Sequence, residues 1–173
     1  MQEILDKYSL LKSQNVPRET LLDFENFVLM LIEVDKKINI ISKKTSIENE
    51  IRERHIIDSA QVIDLIDINS DILTDIGSGG GMPGIIISIM TKNLKNSLKI
   101  NLYEKSHHKS VFLKRASRDL KLNTTVIQKN IFEEKNLESG TIIARAFKPM
   151  PIVLELVYRN FSKYKNLVLF MGK

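Results

Sequence analysis

A glycine-rich turn between a strand-like run and a helix-like run constrains this chain more than any other feature. Asp75-Ile76-Gly77-Ser78-Gly79-Gly80-Gly81-Met82-Pro83-Gly84 follows the apolar pair Ile72-Leu73 and leads into Ile85 to Met90. Glycines let the backbone bend sharply and approach a ligand closely, and amides at the start of the following helix can face polar ligand groups. In that context a glycine cluster points to nucleotide binding. The dinucleotide spacing GxGxxG asks for a third glycine where Met82 stands; the chain instead carries DxGxGxG through Asp75, Gly77, Gly79 and Gly81.

The sequence on either side divides into two parts with no Pro/Gly/Ser-rich linker, internal repeat or low-complexity tract. Residues 1–68 have helical periodicity. Leu21, Phe24, Val28, Leu31, Val34 and Ile38 recur at three- and four-residue steps after Pro17, which predicts a helix of about twenty residues. Thr45-Ser46-Ile47-Glu48 resembles a capping box and predicts a second helical stretch towards Ile66, with a break near His55. Residues 69–173 alternate. Strands are expected near 71–76, 98–104, 124–128, 141–145 and 166–171, with helices near 83–91, 107–120 and 150–160. Strands separated by helix-length segments imply a parallel sheet with right-handed crossovers, an α/β fold against which the helical part packs directly as one globular unit.

Composition narrows the classes of function. A chain of 173 residues that is 43% hydrophobic can bury the core of roughly one domain. No apolar run reaches the ~18 residues of a membrane span, and Glu3 and Asp6 interrupt any signal-like start, so a cytoplasmic location without membrane association is expected. Zero cysteines exclude disulfides, thiolate metal sites and cysteine nucleophiles. A net charge of +5 fits either a polyanionic partner or a solvated basic surface.

DxGxGxG resembles the first motif of S-adenosylmethionine-dependent methyltransferases. In a doubly wound sheet the ligand lies beyond the carboxyl ends of the strands, so residues there are candidates. Glu104 ends the second strand, where a carboxylate is either a surface acid or the acceptor for both ribose hydroxyls of an adenosyl cofactor; the glycine loop upstream favours the ribose. Ile131-Phe132 follows the third strand and either flanks an adenine ring or enters a loop from the core. Arg145, in Ala144-Arg145-Ala146-Phe147, ends the fourth strand, where it serves either the site or a structural ion pair.

The segments Arg54-His55-Ile56-Ile57-Asp58-Ser59, Asp75 to Gly84, Glu104 to Leu113 and Arg145-Ala146-Phe147 resemble, in order and spacing, the RsmG (GidB) family of bacterial 16S rRNA methyltransferases. The resemblance implies a Rossmann-like class I methyltransferase fold, S-adenosylmethionine as donor, S-adenosylhomocysteine as product and no metal. It further implies N7 of a guanine in the decoding-region loop of 16S rRNA as substrate, in free RNA or a precursor of the small ribosomal subunit, and a monomeric enzyme. Cofactor contacts carry over to Gly77, Met82, Glu104, Ile131, Phe132 and Arg145, and Asp75, Gly79 and Gly81 of the glycine-loop motif are counted with them as cofactor-binding candidates; Arg145 is the catalytic candidate, through positioning. Relatives commonly carry Ala or Val followed by Glu at Ile131-Phe132, so only backbone or stacking contacts are expected there.

Arg52, Arg54, His55, Lys109 and Phe147 are the RNA candidates, within a basic set that includes Lys43, Lys44, Lys105, His107, His108, Lys114, Arg115 and Arg118. The resemblance also implies strands beyond Gly172 that complete a seven-stranded sheet and that this sequence does not contain. Two alternatives stay open: a methyltransferase of the same fold acting on another RNA, a protein or a small molecule, and a non-catalytic module that binds RNA or an adenosyl ligand.

Overall fold

The computed structural model describes residues 7–9, 11, 16–41, 48–94 and 98–171. In chain order its strands are β1 (Ile72–Ile76), β2 (Lys99–Tyr103), β3 (Thr124–Ile127), β4 (Leu137–Glu138), β5 (Thr141–Arg145), β6 (Phe161–Lys163) and β7 (Asn166–Phe170). The helices are α1 (Arg18–Asp35), α2 (Glu48–Ile51), α3 (Asp58–Ala60), α4 (Gly84–Thr91), α5 (His107–Asp119) and α6 (Met150–Asn160). The main sheet runs β3-β2-β1-β5-β7 and every neighbouring pair is parallel. Each expected strand and helix of residues 69–173 is present within one or two residues of its predicted bounds.

The register brings the site together. Ile76 is level with Tyr103 on one side and Ala144 on the other, so Gly77, Glu104 and Arg145 emerge side by side. Alternation along the strands splits the core between the two faces: Leu73, Ile100, Leu102 and Ile143 pack under α1, α4 and α5, and Ile76, Ile142 and Ala144 pack under α6.

Helix α4 explains why the N-terminal helices are needed. Ile85, Ile86, Ile87 and Ile89 are all at most 1% exposed, so the helix is apolar on every side and must be covered on every side. The sheet covers one flank; the stripe Leu21, Phe24, Val28 and Leu31 of α1, with Phe27 stacked on Phe112 at 6.1 Å, belongs to the same apolar cluster. At about 1.5–3 kcal/mol per fully buried large side chain, stripping α1 from this surface would unfold the chain.

The second helical stretch is interrupted around His55, where a break was expected. Between α2 and α3, Arg52–Ile57 winds as a π-helical turn, and Ile63–Leu65 follows as a 3₁₀ turn. Ile51 and Ile56 are both fully buried. An α-helix sets residues five apart on different faces, whereas an i→i+5 turn stacks them. The candidate capping residues Thr45 to Ile47 lie outside the described residues.

The small parallel pair β4–β6 was not expected, because elements of two and three residues are too short for alternation to register. Asn160 ties it to the loop after β3, donating from Nδ2 to the carbonyls of Ile131 (2.9 Å) and Glu134 (2.6 Å).

Candidate active site

A cleft of about 660 Å³ opens at the carboxyl ends of β1, β2 and β5. Its floor is Gly77 to Gly80 with Met82; its walls are Tyr103 to Lys105 and Lys109, Lys129 to Phe132, and Arg145 to Lys148. Ile40, Ile41 and His55 close it from the helical part. The Ile40 and Ile41 amides both donate to Asp35 Oδ1 at 2.9 Å, which curls the end of α1 over the glycine loop.

Glu104 braces that loop. Its Oε2 accepts the Gly79 N–H at 2.9 Å and its Oε1 the Ser106 N–H at 2.7 Å, so the carboxylate sits at the cleft edge in a fixed orientation. Carboxylate oxygens have further lone pairs for ligand hydroxyls. A Cβ added at Gly79 would meet only the Gly77 carbonyl oxygen, at 3.7 Å, which leaves the floor open to a ligand. A cleft of this size, with a bare glycine floor and a carboxylate at the second strand end, fits an adenosyl cofactor.

Asp75 and Gly81 require correction: neither lines the cleft. Asp75 is buried beneath it and accepts the Gly84 N–H at 3.1 Å through Oδ2, while Oδ1 has no hydrogen-bond partner. Burial pushes its pKa up to about 7, the Ser78 and Gly84 hydrogen bonds opposing this and the Glu104 charge adding to it. Gly81 is buried with φ +90°, and a Cβ there would lie 2.6 Å from Ile85 Cγ1. Both shape the loop from within instead of touching its ligand.

Phe147 locks the opposite wall. Ala146 takes a left-handed φ of +47°, which doubles the chain back and lays the Phe147 ring on Gly77; a Cβ at Gly77 would fall 2.2 Å from Phe147 Cδ2. Phe147 stacks on Phe132 with centroids 6.0 Å apart, and Phe132 remains 39% exposed whereas Ile131 is buried. Of the expected adenine-flanking pair, Phe132 alone offers an open ring.

Arg145 reaches back to the helical part. It donates from Nη1 to Ser59 Oγ at 3.2 Å, from Nη2 to Asp58 Oδ2 at 3.3 Å and to the Arg54 carbonyl, and lies over the Phe170 ring at 5.4 Å. His55 stands beside it. Burial, then the Arg145 charge, lowers the His55 pKa to about 4, so the imidazole is neutral at pH 7.

The basic candidates sort by their partners. Arg52 requires correction: it is 4% exposed, its Nε and Nη2 hold Glu25 at 2.6 and 2.8 Å, and it also pairs with Glu48. It ties α2 to α1 and presents no surface to RNA. Arg54 is exposed but paired with Glu50; Arg115 and Arg118 pair with acids on or beside α5. Lys109, with Lys105 and Lys148, lines the cleft and forms no ion pair among the described residues. Lys148, Asp58 and Ser59 were not singled out from sequence, although all three sit in or next to motif segments. Lys43, Lys44 and Lys173 lie outside the described residues, among which no cluster of His, Asp or Glu could hold a metal and no helix is long and apolar enough to cross a membrane.

Sheet order, helix layers and cleft define a Rossmann-like, class I S-adenosylmethionine-dependent methyltransferase fold. Coclaurine N-methyltransferase bound to N-methylheliamine and S-adenosylhomocysteine shares it with a TM-score of 0.52 and 16% identity, over 97% of this chain and 58% of that one. A Plasmodium falciparum structure described as a protein-L-isoaspartate O-methyltransferase, in complex with S-adenosylhomocysteine, also scores 0.52, with 20% identity over 87% of this chain and 78% of that one. These likenesses concern the fold alone.

Residues 20–173 match the family described as rRNA small subunit methyltransferase G. The whole chain is 68% identical to ribosomal RNA small subunit methyltransferase G of Pelagibacter ubique (strain HTCC1062), spanning 81% of that protein. It is 34% identical over 134 residues to the Dinoroseobacter shibae protein of the same description, covering 77% of this chain and 67% of that one. The chain belongs to the rRNA small subunit methyltransferase G family.

Proposed function

We propose that this protein methylates N7 of a guanine in the decoding-region loop of 16S rRNA, using S-adenosylmethionine held in the cleft of β1, β2 and β5. The observation that carries this reading is the make-up of the cleft: among the described residues Glu104 is the one acid lining it, and that carboxylate, fixed by the Gly79 and Ser106 N–H groups, is engaged on this reading by the ribose of the cofactor and not by the base. Guanine N7 has an in-plane lone pair and no proton to lose. The cofactor supplies a methyl group on a sulfonium; the N7 lone pair forms the new N–C bond while the S–C pair stays on sulfur. Positive charge moves from sulfur to the base and no proton changes hands.

The protein's share is therefore binding and alignment. Glu104 would hold the ribose hydroxyls, Gly77 and Gly79 would let the chain approach the cofactor, and Phe132 would stack on the adenine. Arg145 and neutral His55 stand on the side from which the base enters, with Lys105, Lys109 and Lys148 at the rim to meet phosphates. An exposed aromatic and a cationic rim suit a single-stranded loop, whose bases can be splayed out.

The test is methyl transfer by the purified protein to small ribosomal subunits from cells lacking the gene, with mass spectrometry of the nucleosides. Formation of 7-methylguanosine at one 16S position is expected. Methylation of a base carbon, an exocyclic amine or a ribose instead would refute the reading. Glu104→Ala should weaken S-adenosylhomocysteine binding by about 1–3 kcal/mol in calorimetry, because its charge-assisted hydrogen bonds are removed; unchanged affinity would return Glu104 to a purely structural role.

A further inference from the structure

We propose that Asp58 is a positioning residue for methyl transfer, clamping the Arg145 guanidinium in the orientation in which it lines the cleft. The inference rests on the reading of this cleft as the methyl-transfer site.

A guanidinium has five N–H donors in a rigid plane. In Arg145 the two Nη2 protons go to the Arg54 carbonyl and Asp58 Oδ2, and one Nη1 proton goes to Ser59 Oγ. The Nε–H and the second Nη1 proton have no acceptor among the described residues, and Arg145 lines the cleft. The three acceptors come from one short segment, residues 54, 58 and 59, at the end of the π-helical turn Arg52–Ile57. In a widened turn, positions i, i+4 and i+5 share a side, which lets a carbonyl, a carboxylate and a hydroxyl converge on one group. The guanidinium carbon lies over the ring of Phe170, the β7 residue level with Arg145 on β5, 5.4 Å from its centroid. Three acceptors fix the orientation of the group.

Of these partners only Asp58 carries charge. Its side chain is 51% exposed, against 19% for Arg145, and has no other hydrogen-bond partner among the described residues. Half-exposed ion pairs add little to stability. If Asp58 only decorated the surface, removing it would change nothing. If it orients Arg145, removing it lowers the rate while folding and cofactor binding stay intact. Ser59 is fully buried, is not part of the cleft lining and accepts from Arg145 Nη1, so it supports the same orientation.

The test compares Asp58→Ala, Asp58→Asn and Arg145→Lys in transfer of methyl groups to small ribosomal subunits, together with nitrogen NMR of the Arg145 side chain in the free protein. Asp58→Ala should lower kcat roughly 10- to 100-fold, with KM for the subunit and S-adenosylhomocysteine affinity within about threefold of wild type. Asp58→Asn keeps an oxygen acceptor and should recover most of that loss. Asp58→Ala combined with Arg145→Lys should be no more than about threefold slower than Arg145→Lys alone, because the two act as one unit. In NMR, the Arg145 Nη protons should be resolved individually in the wild type and averaged by rotation in Asp58→Ala. A wild-type kcat in Asp58→Ala, losses that multiply fully in the double variant, or a rise in KM alone would each overturn the assignment. Failure of Asp58→Ala to fold would also overturn it, since that outcome makes the pair structural. A wild type that transfers no methyl group refutes the functional reading instead, and the NMR arm then decides the clamp by itself.

Discussion

Gly77→Ala tests the closest packing in the site. Gly77 has φ +70°, and a Cβ built on it lies 2.2, 2.8 and 2.9 Å from Phe147 Cδ2, Cε2 and Cγ. Carbon atoms pack at about 3.5–4.0 Å, so the ring must retreat by more than an ångström. It has little room to do so, being stacked on Phe132 and held by the left-handed corner at Ala146. Two costs add. An alanine in the left-handed region costs about 1–2 kcal/mol, and overpacking against an aromatic ring costs about 1–3 kcal/mol. The sum, roughly 2–5 kcal/mol, corresponds to a Tm lower by roughly 5–15 °C for a chain of this size. Thermal unfolding measures it, and a double-mutant cycle separates the parts: in a Phe147→Ala background the same substitution should cost only the backbone share, about 1–2 kcal/mol. The ring displaced in Gly77→Ala should also crowd the cleft and weaken S-adenosylhomocysteine at least about tenfold in calorimetry, about 1.4 kcal/mol. An equal cost in both backgrounds, or less than about 1 kcal/mol in the wild type, would refute the account of this packing.

Asp75→Asn should change how stability depends on pH. The folded pKa of Asp75 is raised to about 7 from 3.8, so its favourable contribution is full below about pH 4 and is lost as pH rises through 7; the wild type should lose up to about 4 kcal/mol relative to Asp75→Asn across that window, measured by denaturant unfolding. Parallel curves would refute the raised pKa. His55 has the opposite sign: its pKa is lowered to about 4, so its contribution is present above about 6.5 and lost as pH falls through 4. An NMR titration should place the midpoint below 5, higher in Arg145→Gln, and a midpoint above 6 would contradict the burial. Arg52→Ala should cost about 2–4 kcal/mol in denaturant unfolding by leaving the partly buried Glu25 with only the longer Lys7 pair at 3.6 Å, while the salt dependence of RNA binding stays unchanged. Changing Lys105, Lys109 and Lys148 together to Ala should instead lower the salt slope by roughly 0.7 for each phosphate no longer neutralised; the reverse pattern in filter binding would place RNA on another face.

The fold was legible in the sequence because its signals are local. Ile72-Leu73 before the glycine run, the four isoleucines after it and the stripe Leu21, Phe24, Val28, Leu31 each declare a period and a face within a few residues. From those, the parallel sheet and the position of the cleft followed. Even the π turn left a trace, in the five-residue step from Ile51 to Ile56. The long-range pairing of charges left none. Arg52 meets Glu25 across 27 positions and Arg145 meets Asp58 across 87, and with 26 Lys and Arg facing 21 Asp and Glu, no local pattern selects those partners. Arg52 and Arg54 look alike in sequence; one is interior and the other exposed, because the winding between them sets which side faces α1. Asp75 and Gly81 share a motif with Gly77 and Gly79, but only the tertiary course of the loop decides which of them face a ligand and which carry its weight from below. Ion pairing and cleft exposure depend on distances between elements far apart in the chain, and those distances exist only once the helices have packed on the sheet.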